Sequence, residues 1–239
     1  MRATIIISIV MIGVVLLISS GTTAQSLNHD IIILDDVTDH HELHPEYDKL
    51  LEQINLTDNP WQGVQITHVK ITELSHNPES SYTLSKTRWW LGNEFDRKDE
   101  MDGLHQFLDS LKSSENTSQS IRSHSSIYRP LVRLLNRLAT SGAEERELII
   151  YSNLMENDAV SFYDSSTFSR LRNEPQKVQK LLEKQGVFSP LDGINVYFVF
   201  APTTRNEDQQ FTVVASFFSS FLESYGASVH VQSGLSLTP

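Results

Sequence analysis

The chain reads as an α/β protein with a doubly wound, mostly parallel central sheet carrying one antiparallel edge strand. Three observations predict this. Ile31-Ile32-Ile33-Leu34 runs unbroken into Asp35-Asp36, the pattern of a strand buried on both faces that delivers polar groups to a parallel sheet's carboxyl edge. Further apolar runs of this kind alternate with amphipathic segments of helical period, as crossover helices on both faces of a sheet require. The early strand pair around Ser75-His76-Asn77-Pro78-Glu79-Ser80 is joined by turn chemistry alone, which makes it an antiparallel hairpin.

The N-terminus comes first. Arg2, an apolar stretch from Ile5 to Ile18 and the small-residue tail Ser19-Ser20-Gly21-Thr22-Thr23-Ala24 form the pattern of a secretory signal peptide over residues 1–24. The stretch is short for a bilayer span, which takes about 20 apolar residues, so an uncleaved N-terminal anchor is the alternative. Residues 25–239 then make one domain, exported to a periplasmic or secreted location. The chain has no cysteine, so disulfides, thiolate nucleophiles and thiolate metal sites are excluded, and an ordinary hydrophobic core must hold it. A net charge of −11 argues against nucleic acid and anionic membrane surfaces as partners. No membrane insertion is expected beyond the N-terminal segment itself.

After the first strand, Tyr47, Leu50, Leu51 and Ile54 mark a helix opened by His44-Pro45-Glu46 and ended at Asp58-Asn59-Pro60. An alternating, β-branched strand follows from Val64, and Tyr82-Thr83-Leu84 is its shorter hairpin partner. Trp89-Trp90 is expected to cover a sheet edge, with an exposed partner anchor as the alternative. Met101, Leu104, Phe107, Leu108 and Leu111 signal a second helix, and the polar run from Ser113 to Ser120 a loop. Ile127, Leu131, Leu134, Leu135 and Leu138 signal a third, with Ser125 or Ser126 as N-cap, Pro130 in its first turn and Gly142 as its stop. Glu147–Tyr151 is a buried strand ending in Ser152-Asn153, and the segment from Leu154 to Arg170 carries no clear period. Val178, Leu181 and Leu182 lie in a fourth helix closed by Gly186, Ile194–Phe200 is a further strand, and Val214 to Tyr225 is the clearest helix. Ser228–Val231 supplies a last strand.

Three readings compete for the polar clusters. His40, His41 and His44 with Asp35, Asp36, Asp39 and Glu42 crowd potential metal ligands into residues 35–44, the basis for a metal-dependent hydrolase. His41-Glu42-Leu43-His44 is one residue short of H-E-x-x-H, and Pro45 opposes a helix there, so a solvated polar loop is the plainer account. A phosphohydrolase of the haloacid-dehalogenase type is suggested by Ile150-Tyr151-Ser152-Asn153, but Asp35 and Asp36 are adjacent where that chemistry needs two aspartates two apart. Serine nucleophiles have no G-x-S-x-G context.

The third reading spans Ile31 to about Val231. Asp36-Val37-Thr38-Asp39, the hairpin after the first helix, and the later Ser152-Asn153-Leu154-Met155-Glu156-Asn157 resemble a von Willebrand factor A-type (VWA-like) domain, of the kind exported by bacteria. The resemblance implies a protein-interaction or assembly module, not an enzyme, with a protein partner and a metal-ion-dependent adhesion site (MIDAS) for Mg²⁺ at the sheet's carboxyl edge. That site takes D-x-[ST]-x-[ST], a Thr before a later helix and an Asp after the fourth strand. Asp36 and Thr38 match the first two positions, His40 replaces the third, Ser125 stands for the Thr, and Asn153 replaces the Asp. The implied site is therefore degenerate, with any Mg²⁺ bound weakly, because an amide supplies none of the attraction of a carboxylate.

Overall fold

The computed structural model describes residues 27–38, 43–72, 77–90, 92–115 and 125–237. Residues 1–24, expected to be a signal peptide, lie outside them, as do Asp39, His40, His41 and Glu42. No described helix is long and apolar enough to cross a membrane.

Twelve elements follow one another: β1 (His29–Asp36), α1 (Tyr47–Gln53), β2 (Val64–Ile71), β3 (Glu79–Leu84), α2 (Glu94–Glu115), α3 (Tyr128–Ala139), β4 (Glu145–Tyr151), α4 (Ser165–Asn173), α5 (Pro175–Leu182), β5 (Ile194–Val199), α6 (Arg205–Glu223) and β6 (Ser228–Gln232). The strands form one sheet in the order β3-β2-β1-β4-β5-β6. β1, β2, β4, β5 and β6 pair in parallel, and β3 runs antiparallel to β2 at the edge, from Val64 opposite Leu84 to Val69 opposite Glu79. The architecture is the doubly wound, mostly parallel sheet with one antiparallel edge strand that the patterning predicts.

Strand alternation divides the core in two. Ile32 and Leu34 of β1, with Leu148 and Ile150 of β4, face α3, α4, α5 and α6. Ile31 and Ile33, with Ile149 and Tyr151, face α1, α2 and the C-terminal Leu235. The chain winds from β1 outward to β2 and β3, then returns past β1 to β4. The reversal falls at the carboxyl ends of β1 and β4, the place where open α/β sheets bind ligands.

Several local expectations need correction. α2 starts at Glu94 and runs through Glu115, so the charged segment after the tryptophans and the first residues of the presumed loop are helical. Neither Ser125 nor Ser126 caps α3; Ile127 occupies the N-cap position without a side-chain bond. α3 ends at Ala139, and Gly142 lies beyond the Thr140 C-cap without a positive φ, so it does not stop the helix. α5 ends at Leu182 with Glu183 as C-cap, before Gly186 is reached. α4 begins inside the segment with no readable period and runs three residues past it. Its start is nonetheless marked chemically, since the Asp164 carboxylate accepts from the Ser166 amide at 3.0 Å, a contact that holds this acid below its usual range. Trp89 and Trp90 are 69% and 60% exposed, so they cover no sheet edge.

At the amino end of the sheet, Arg97 is a buried staple. Its guanidinium donates to Pro60 O, to Ser85 O at 3.1 Å, to Gln62 O at 2.7 Å and to Glu100 Oε2 at 2.7 Å. A lysine can satisfy one of these acceptors and not the fork. Arg97→Lys is expected to destabilise by about 2 kcal/mol, since buried carbonyls left without donors each cost about 1 kcal/mol or more. Urea unfolding of parent and variant checks it; an unchanged midpoint would mean that water replaces the staple at no cost.

Candidate functional site at the carboxyl edge

The polar cluster at this edge is built around Asp36, the last residue of β1 and fully buried. Its Oδ1 accepts from the Thr38 amide at 3.1 Å and the Thr38 hydroxyl at 2.5 Å, a tight local turn at the strand end. Its Oδ2 accepts from Ser152 Oγ at 2.7 Å and Ser125 Oγ at 3.3 Å. β1, the segment before α3 and the loop after β4 thus converge on one carboxylate. Thr38, Ser125 and Ser152 are all buried with it. Asp36, Thr38 and Ser125, expected together at this edge, are joined by these hydrogen bonds. Asn153 Oδ1 accepts from the Met155 amide at 2.8 Å, and it is the neighbouring Ser152 that donates to Asp36.

The loop after β4 is wound by its own side chains. Ser152 Oγ accepts from the Leu154 amide at 2.9 Å, and Leu154 takes a left-handed backbone, φ 61°, while fully buried. A branched aliphatic residue in that region costs about 1–2 kcal/mol, so surrounding packing must hold it there. The winding turns Glu156 back towards α3. Glu156 Oε2 accepts from the Ile127 and Tyr128 amides at 2.8 and 2.7 Å, doing the capping expected of a serine. This frees Ser125 for Asp36 and Ser126 for Asp158 at 3.2 Å. An antiparallel bridge between Ser125 and Asn157 closes the arrangement, with the Asn157 amide on Ser125 O at 2.7 Å.

Glu156 is fully buried, and its Oε1 has no hydrogen-bond partner among the described residues. Burial pushes its carboxyl up to about 7, against the opposing pull of the Tyr128 and Ile127 amides; Asp158 adds to the rise and Arg129 reduces it. Sequence reasoning gave Glu156 no role. The available signal was a carboxylate following a strand end and packed among apolar residues, which needs a partner the linear order does not reveal.

Asp35 and Asp36 do not act together. Alternation sends Asp35 to the opposite face, where its Oδ2 lies 3.5 Å from His68 Nε2, both side chains buried, with Tyr47 edge-on to the imidazole. The dense ligand cluster read along residues 35–44 is therefore divided by the sheet. His44 is exposed just before α1. Among the described residues, no three His, Asp or Glu side chains group so as to hold a metal ion.

No family model matches the chain, and no curated protein is significantly similar to it. Function must be argued from the site.

The residues of the edge do not fit a tight Mg²⁺ site. They offer hard oxygens of the right kind, but Asp36 is the one carboxylate among Asp36, Thr38, Ser125, Ser152 and Asn153, and both its oxygens already accept from hydroxyls. A divalent ion that gives up water reluctantly needs more charge than this.

Proposed function

We propose that the chain is an exported protein-interaction or assembly module of VWA-like architecture, with a degenerate cation site at the sheet's carboxyl edge as its recognition surface. The observation that carries the reading is the convergence of Thr38, Ser125 and Ser152 on Asp36 at the point where the strand order reverses. The antiparallel β3 after the first crossover supports the same architecture. A carboxylate held by hydroxyls from three segments couples the loop after β1, the start of α3 and the loop after β4. A partner pressing on any of them meets a prearranged surface, which lowers the ordering cost of association.

Titration calorimetry of the folded protein with Mg²⁺, Mn²⁺ and Zn²⁺ tests the cation side. The parent is expected to bind neither Mg²⁺ nor Mn²⁺ at micromolar concentration. Asn153→Asp supplies the carboxylate the family carries there and is expected to raise Mn²⁺ affinity at least tenfold. Micromolar Zn²⁺ binding lost on replacing His40 and His44 would overturn the reading in favour of the metal-dependent hydrolase. On the partner side, capture from the exported fraction is expected to depend on Asp36; equal capture with Asp36→Asn would reduce the edge to a structural role.

A further inference from the structure

Among the described residues, the three most exposed large apolar side chains, Phe95, Trp89 and Trp90, follow β3 or open α2. Trp89 and Trp90 follow β3, their rings in edge contact at 5.8 Å, with the Arg88 guanidinium 5.5 Å from the Trp90 ring centre. Phe95, in the first turn of α2, is 80% exposed. The turn carrying them is rigidly tied to the chain's first described residues. The Asn28 amide donates to Gly63 O at 2.8 Å, and the Thr87 amide to Trp61 O at 3.0 Å. Asn28 Nδ2 and Lys86 Nζ share the Glu144 carboxylate at 2.9 and 2.7 Å. Arg97 clamps α2 onto the same edge through Pro60, Gln62 and Ser85. The aromatic patch therefore flanks the point where residues 1–26, with their apolar stretch Ile5–Ile18, join the domain.

We infer that Trp89, Trp90 and Phe95 seat the domain on a zwitterionic lipid surface, beside an N-terminal segment retained as its membrane anchor. Tryptophan favours the lipid–water boundary, where an apolar ring and a polar N–H are both satisfied. Arg88 adds a cation that reaches phosphate, while Glu94 and Asp96 on either side of Phe95 disfavour anionic headgroups. A single short apolar segment holds a membrane weakly, and a second contact a few residues from its exit raises the local concentration of the patch at the surface. In this orientation the Asp36 edge stands about 25 Å away along the eight residues of β1, facing away from the bilayer. The inference does not depend on what that edge binds.

The chain's three tryptophans are Trp61, Trp89 and Trp90, so intrinsic fluorescence reads this edge directly. The full chain, reconstituted into phosphatidylcholine vesicles carrying bromines near the headgroup, should lose at least half of its emission relative to unbrominated vesicles. The Trp61→Phe variant should show the same loss, assigning it to Trp89 and Trp90. Unquenched emission overturns the inference. So does a blue-shifted, unquenched emission that reverts on dilution, which would mean that a second copy or another protein covers the patch. Mass spectrometry of the exported protein supplies the second arm: an intact N-terminus in the membrane fraction supports the seat, and a chain starting at Gln25 in the soluble fraction overturns it.

Discussion

Asp36→Ala is expected to lower unfolding free energy by about 4 kcal/mol, since it strands the Thr38 amide and the Thr38, Ser125 and Ser152 hydroxyls, and a buried group left unsatisfied costs about 1–3 kcal/mol. The hydroxyls can turn to other acceptors, which keeps the total below the sum of the separate penalties. Asp36→Asn is the informative companion. Its amide oxygen still accepts from Thr38, while its NH₂ faces Ser125 and Ser152, whose hydroxyls can rotate to accept. We expect it to cost about 1–2 kcal/mol, leaving a folded domain in which the negative charge alone has gone. Urea unfolding measures both variants. If Asp36→Ala is as stable as the parent, the convergence of three segments on one carboxylate holds nothing together. If Asp36→Asn folds but no longer captures a partner, recognition uses the charge as well as the geometry.

Glu156 gives the second large effect, and its sign is unusual for a carboxylate. Its folded value, about 7, lies above the ordinary 4.5, because burial outweighs the two α3 amides that favour the anion. The folded state thus holds the proton more tightly than the unfolded chain does. Its stabilising contribution is complete below pH 4.5 and is lost as pH rises through about 7. That separation corresponds to about 3 kcal/mol lost between pH 4.5 and pH 8. Glu156→Gln keeps an oxygen for the Ile127 and Tyr128 amides and removes the titration. At pH 8 the variant is expected to be more stable than the parent by about 2 kcal/mol, a rise in Tm of about 6 °C for a domain of this size. At pH 5 the two should nearly coincide. The difference between parent and variant is the quantity to follow in thermal unfolding at both pH values. Parallel profiles for the two proteins would show that Glu156 keeps its charge throughout and that the helix terminus governs it.

These predictions have different legibility in the sequence. Asp36 and Thr38 could be found because both belong to one short segment: a strand end and a turn are local, and the Asx-type contact between them needs no tertiary partner. Ser125 was readable as a polar residue just ahead of a helix, although its hydroxyl does something other than capping. Glu156 was not readable. Its role depends on a left-handed turn at Leu154 and on α3 lying across the end of β4, and neither is encoded in local period or composition. In the 35–44 run, only Asp35, Asp36 and His44 of the candidate ligands are described. Strand alternation places Asp35 with His68 and Asp36 with Ser152 on opposite faces, a separation that linear order hides.

Fold class was decided by the sequence alone. Buried runs such as Ile31–Leu34 and Ile194–Phe200, spaced by helices with one apolar face, have few ways to hide their surface other than a parallel sheet covered on both sides. A turn too short for a crossover made β3 antiparallel. Tertiary structure alone decided which polar groups meet. Hydrophobic burial is non-directional and tolerates many pairings, whereas a buried carboxylate must find donors within hydrogen-bond distance. For Asp36 those donors come from the 125 and 152 regions, and for Glu156 from the start of α3. The same holds for Trp89 and Trp90: composition marks them as large apolar side chains, and packing at the amino edge leaves them exposed.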